Sequence, residues 1–336
     1  MDLDRRVSPD SFVYQEVERL YKLAQSLRPV TTDRWNRELY ATDLDTLGGL
    51  DPNTGVLRLS SHRVLMHLTG SVSPERAADQ AEALSTVLHE STHGGMHIKA
   101  PGEPNAVWTE HSRGVMEGFA EVRAFADFEL FAKRAGYGGL TLGDPQYPGA
   151  FAATSDLMAH ISGPSYSQND LINDACRGPG LMHFDQFAHA VVANHLTELT
   201  HRDPQTQQTI RRQLIEPMLH AHWPTLPNTE APTGHAVATE IRSTLNTKIS
   251  ELRHQHRLPP APPTPQTPPT HQPRSAPLPA VHDPAPTPDA RQDTLNALRF
   301  LTAQPPPTKA LHHRPTPAIP HTRPHLSTKP PPRTRD

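Results

Sequence analysis

Cysteine is almost missing from this chain, with one residue, Cys176, among 336. A single thiol excludes a disulfide framework. No His/Asn pair points to it as a nucleophile, so it reads as a small buried hydrophobe. No apolar run is long enough to cross a bilayer, which excludes a membrane-spanning helix. The opening residues, MDLDRRVSPDSF, lack the apolar centre of a secretory signal, so a cytoplasmic protein is expected. Charge of one sign is scarce too. A formal net charge of −3 gives no ground for a nucleic-acid partner. No repeat at a fixed period is visible.

Proline is plentiful and unevenly placed, 23 of the 38 lying after Leu258. That stretch carries nine Lys/Arg against four Asp, so it is near +5 and the remainder near −8. A segment so rich in proline and so poor in apolar residues cannot offset its ordering entropy. The expectation is one folded domain over 1–258 and a disordered basic tail over 259–336. Leu295, Leu298 and Leu301 recur at helical spacing, so a short helix or docking motif is expected near 289–303. The tail's APPTPQTPPT character and its charge suit a partner that reads polyproline or is anionic.

Within 1–258 helical patterns dominate. Ser8-Pro9 opens one that carries Phe12, Val13, Val17, Leu20 and Tyr21. Gly55 to Leu68 reads as a strand, or two, after the Asp51-Pro-Asn-Thr-Gly turn. Ser73-Pro74 caps a long helix that ends at Gly94-Gly95. A second helix runs from about Ser112 to Arg134, followed by others near 151–160, 182–199, 206–220 and 236–256. The fold class is mainly α with a small β-sheet.

The stretch LSTVLHESTHGGMH, residues 84–97, carries the chemistry. On a helix, residues four apart share a face, so His89 and His93 can supply two ligands to one Zn²⁺. Glu90, at the edge of that face, can take a proton from a water that zinc has made acidic. A five-residue match of this kind arises by chance in about one such chain in fifteen, so its context decides. The motif sits on a strong helix with Ala81, Leu84, Val87 and Leu88 along its flank. That helix then breaks, and Met116-Glu117-Gly118-Phe119-Ala120-Glu121 on the next helix offers a third ligand.

His89-Glu90-Ser91-Thr92-His93 followed by Glu117-Gly118-Phe119-Ala120-Glu121 resembles the gluzincin branch of the zinc metallopeptidases, which have the zincin-like fold. The resemblance covers roughly residues 55–135. It implies Glu117 as the third zinc ligand and Glu121 as a carboxylate that hydrogen-bonds a ligating histidine. It also implies a peptide or protein substrate. Glu121 could exchange roles with Glu117, because both lie on one helix face. The spacing exceeds that of the branch's aminopeptidases, and Met116 stands where their N-E-G motif has asparagine. His97 does not fit the alternative pattern, which places histidine six residues after the second one.

Other histidines read as composition. His183, His189, His195 and His201 are six apart, and on a helix such neighbours point about 120° away from one another. The gluzincin reading asks for a Tyr or His to steady the developing oxyanion; Tyr147, Tyr166, His111 and His160 are the candidates. The reading is a zinc peptidase with Glu90 as general base. Its rivals are an effector-like peptidase with one narrow target and a catalytically silent zincin-like protein acting through its tail. The intact Glu90 favours an enzyme.

Overall fold

A computed structural model of the chain describes residues 4–96, 100 and 102–256. The proline-rich tail, its leucine-bearing segment near 289–303 and His97 lie outside the described residues. Among these residues the protein is mostly helical, with one small mixed sheet.

The sheet comprises β1 (Asp4–Arg6), β2 (Leu39–Thr42), β3 (Gly48–Leu50) and β4 (Leu57–Ser60), in the order β1-β2-β4-β3. β2 and β4 are parallel, and the other two pairings are antiparallel. The β3–β4 hairpin is closed by Asp51, whose Oδ1 accepts the N–H groups of Asn53 and Thr54 at 2.8 and 3.0 Å. The extended conformation stops at Ser60, short of the predicted Leu68. Val64, Leu65 and Leu68 are buried at spacings of one and three, which suits the short 3-10 turn found at Leu65–His67.

α1 (Phe12–Leu27) is capped by Ser11, whose hydroxyl accepts the Tyr14 N–H, and it buries Val17, Leu20, Tyr21 and Ala24. After a 3-10 turn at Pro74–Arg76 comes α2 (Ala77–Gly95), then α3 (Glu110–Ala135) and α4 (Pro148–Ile161). α5 (Gln168–Arg177), α6 (His183–His195), α7 (Pro204–Ile215) and α8 (Ala231–Gln255) complete the described chain. The predicted 182–199 and 206–220 helices are both shorter than expected, their last turns tightening to 3-10. α5 is an addition, held at its start by a reciprocal Ser167/Asp170 capping box.

Two apolar cores share α3. One gathers α1, the sheet, Ala81, Leu84, Val87 and Leu88 of α2 and the second half of α3 from Ala124 to Ala135. The other gathers α4 to α8 with Val115, Phe119 and Val122 of α3. α3 therefore passes from one core to the other, and the motif end of α2 lies at the join.

Close approach at the join depends on glycine. Neither Gly94 nor Gly95 has a positive φ, so they do not turn the chain by a left-handed cap. A Cβ on Gly94 would sit 1.9 Å from the Tyr21 hydroxyl, and one on Gly118 would sit 2.0 Å from Thr154 Oγ1 and 2.8 Å from the Ala150 carbonyl oxygen. Beneath them Arg123, fully buried, donates to Thr92 Oγ1 at 2.8 Å and to the Ala24 carbonyl at 2.6 Å. Arg28 pairs with Asp127 at 2.6 Å and reaches Asn173 of α5 at 2.5 Å. These contacts tie α1, α2, α3 and α5 together behind the motif.

Two predictions follow from this packing. Gly118→Ala should destabilise the fold by about 1–3 kcal/mol, because the new methyl meets α4 backbone that cannot swing away; denaturant unfolding checks this. His183 is fully buried, with Nδ1 unpaired, and burial lowers its pKa from 6.5 to about 4. The unfolded chain binds a proton there that the folded chain refuses, so stability should fall as pH drops from 6.5 toward about 4. The loss should be about 3 kcal/mol, and His183→Leu should flatten that slope in unfolding measured across pH.

Candidate metal centre

α2 carries His89, Glu90 and His93 on its last two turns, and the interior encloses them. His89 is 1 % exposed and Glu90 6 %. α3 runs alongside and presents Glu117 and Glu121, one turn apart, to the same imidazole. His89 Nε2 lies 3.1 Å from His93 Nε2 and 3.2 Å from Glu117 Oε2. His93 Nε2 lies 3.3 Å from the same Glu117 oxygen. The three atoms form a nearly equilateral triangle. This His89, His93 and Glu117 group could hold a metal ion.

Proton placement supports a cation in that triangle. His89 Nδ1 is 3.0 Å from Glu121 Oε2, whose partner oxygen accepts the Gln146 backbone N–H at 2.7 Å. A carboxylate only accepts, so a ring proton sits on Nδ1, and whenever the ring is neutral Nε2 turns a lone pair toward His93 Nε2 and Glu117 Oε2. Three such atoms repel one another unless a proton or a metal ion lies among them. The donor separations also match the roughly 3.3 Å edge of a tetrahedral site with bonds of 2.0–2.1 Å.

Electrostatics add the same demand. Burial by itself would lower the His89 pKa, yet hydrogen bonds to Glu117 and Glu121 hold it well above the ordinary value. Burial would raise that of Glu117, but His93 and His89 hold it far below the carboxylate range. Three enclosed carboxylates around two imidazoles make a cluster that favours a positive partner.

One oxygen of Glu90 is taken up by the sheet. Glu90 Oε2 accepts the Leu50 N–H from β3, an edge strand, at 2.9 Å. Burial raises its pKa, with His89 and His93 opposing. Of the four candidate oxyanion residues, the structure brings Tyr147 to the centre, its ring 5.4 Å from that of His89. Burial raises its pKa first, and the charges of Glu117, Glu90 and Glu121 add to the rise. Tyr166 donates to Asp174, His160 pairs with Asn246 at 3.0 Å, and His111 pairs with Thr109 at 2.8 Å; these contacts hold all three in other surroundings.

Two partners had no sequence signal. The Leu50 N–H is backbone, and any residue would supply it. Gln146 fastens the segment before α4 twice, through its N–H to Glu121 and through Nε2 to Thr86 Oγ1 at 3.0 Å. That double tie sets Tyr147 over His89. The six-residue histidine series disperses: His183 packs on Phe119, His189 meets Tyr166, and His195 stacks on His160.

Removing either imidazole should empty the triangle. His89→Ala and His93→Ala should lose bound metal by elemental analysis of the purified protein, while Glu121→Gln should weaken retention by about 10- to 100-fold. Full metal occupancy in either histidine variant would refute the site. The assignment rests on this geometry, since no family model, no curated protein and no solved structure matches the chain.

Proposed function

We propose that this protein is a zinc-dependent peptidase with a zincin-like domain of the gluzincin type, acting on a peptide or protein substrate. The observation that carries the reading is the triangle of His89 Nε2, His93 Nε2 and Glu117 Oε2, with Glu90 beside it and Tyr147 above. Two imidazoles and one carboxylate suit zinc better than magnesium or calcium, which prefer oxygen donors alone. Bound there, zinc would supply Lewis acidity to a water molecule and to the scissile carbonyl.

The chain's own groups have distinct tasks. Glu121 keeps the proton on His89 Nδ1 and so leaves Nε2 free to ligate. The Leu50 N–H occupies Glu90 Oε2, which leaves Oε1 to take the proton from water and pass it to the leaving amine. Burial, by raising the Glu90 pKa, makes it a stronger acceptor than an exposed carboxylate. Tyr147, with its pKa raised, stays protonated and can donate from its hydroxyl to the carbonyl oxygen as charge builds there. Glu90 also favours a working enzyme over a silent relative, because a purely structural zinc site has no use for a carboxylate at that position.

The test separates base from ligand. Glu90→Gln keeps the size and removes the basicity, so metal content should hold while peptide hydrolysis falls by at least about 10²-fold. Tyr147→Phe should lower kcat by about 10- to 100-fold with metal retained. Unchanged turnover in Glu90→Gln would overturn the mechanism.

A further inference from the structure

A groove of ≈ 430 Å³ opens beside the metal centre between the first turns of α2, Phe125 of α3 and the 141–146 segment. Its wall follows the face of α2 that leads to the motif: Ala78, Glu82 and Ser85 are followed at the same spacing by His89. Ser85 is thus one turn, about 6 Å of helix rise, from the metal-binding imidazole. Gln146, which lines the far wall, is bonded to Glu121 and precedes Tyr147. Ser85 and Gln146 thus join the groove wall to residues next to the centre.

Three carboxylates, Asp79, Glu82 and Asp144, face this space, and no lysine, arginine or histidine lines it. Arg63 engages Glu82 at 2.8 Å from outside. Asp79 and Asp144 have no ion pair or hydrogen bond through their side chains among the described residues. Ser85 adds an independent sign. It is only 3 % exposed and lines the groove, yet its hydroxyl has no hydrogen-bond partner among the described residues. A hydroxyl in the groove wall without a protein partner is open to a donor from a ligand. Phe125 and Leu142 supply apolar wall between the polar groups.

We propose that this groove is the subsite for a basic side chain of the substrate, arginine or lysine, a reading that rests on the peptidase function proposed above. The methylene stem lies along Phe125 and Leu142, while the cationic head meets Asp79 and Asp144 and the Ser85 hydroxyl receives one of its N–H groups. An acidic or short apolar side chain finds no complement there, so selectivity comes from rejection as well as attraction.

The test uses the full-length, metal-loaded protein and pentapeptides differing at one position: arginine, lysine, norleucine or glutamate. Across registers of that position, one should give arginine or lysine a kcat/KM at least about fivefold above norleucine, the order of a partly exposed charge pair. The ratio should fall toward one in Asp79→Asn/Asp144→Asn and with rising salt. Metal content and circular dichroism of that double variant confirm its fold. A second arm measures binding of the arginine and norleucine peptides to Glu90→Gln by calorimetry, with and without the two asparagine changes. Cleavage with equal rates for arginine and norleucine overturns the subsite and leaves the peptidase standing. No cleavage of any peptide, with arginine-selective binding that the asparagines abolish, overturns the peptidase and leaves a cation-binding groove. Equal binding of the two peptides overturns the groove in either case.

Discussion

One buried imidazole, His89, is held by carboxylates at both of its nitrogens, and the arrangement of the two long helices follows from that requirement. Glu121 and Glu117 are four residues apart on α3, so they reach Nδ1 and Nε2 only if α3 lies close along α2. Enclosing carboxylates costs several kcal/mol each unless cations and donors answer them. The protein meets that cost with nearby donors and tight packing. Gly118 lets α4 press on α3, Gly94 lets the Tyr21 ring close on the end of α2, and Arg123 bolts Thr92 to α1 from below. The motif lies where two apolar cores meet, so both of them brace it.

The same burial divides labour among neighbouring groups. Glu117, between two imidazoles, is kept ionised, whereas Glu90, one residue from His89, is pushed toward its protonated form. These are opposite outcomes for two carboxylates near the same imidazoles, and the difference is that His89 and His93 hydrogen-bond Glu117 but not Glu90. Tyr147 is pushed in the direction that preserves its proton. An edge strand contributes through its backbone: β3 is short, but its pairing with β4 fixes the Leu50 N–H that orients Glu90.

Helical periodicity makes the centre legible in the sequence. His89 with His93 and Glu117 with Glu121 are i, i+4 pairs, and that spacing on two successive strong helices is a local property of the sequence. The sheet was less legible, because strands of three or four residues are shorter than any alternation that could announce them. α5 was missed since its four buried residues, Leu171, Ile172, Ala175 and Cys176, are separated by polar ones over only ten positions. Gly94-Gly95 mark the end of α2 as their sequence suggests, and they also allow close approach of Tyr21 and Val30, which spacing does not reveal. Choosing Tyr147 among four candidates needed the fold: its nearness to His89 arises from Gln146 and the bonds that hold it, a tertiary matter with no trace in spacing.

Charge accounting joins the centre to the proposed reaction. Glu90, Glu117 and Glu121 together bring more negative charge than one divalent ion offsets if both imidazoles stay neutral. Glu117 sits in the triangle and Glu121 meets His89 Nδ1 and the Gln146 N–H, so the surplus falls on Glu90, which is answered by the Leu50 N–H. A carboxylate left uncompensated in a buried site gains most from taking up a proton. In the proposed reaction that gain draws the proton from water onto Oε1, and its release to a departing amine restores the starting charge. In that proposal the surplus negative charge at the centre would drive the base, with the Leu50 N–H keeping one oxygen occupied and the other free.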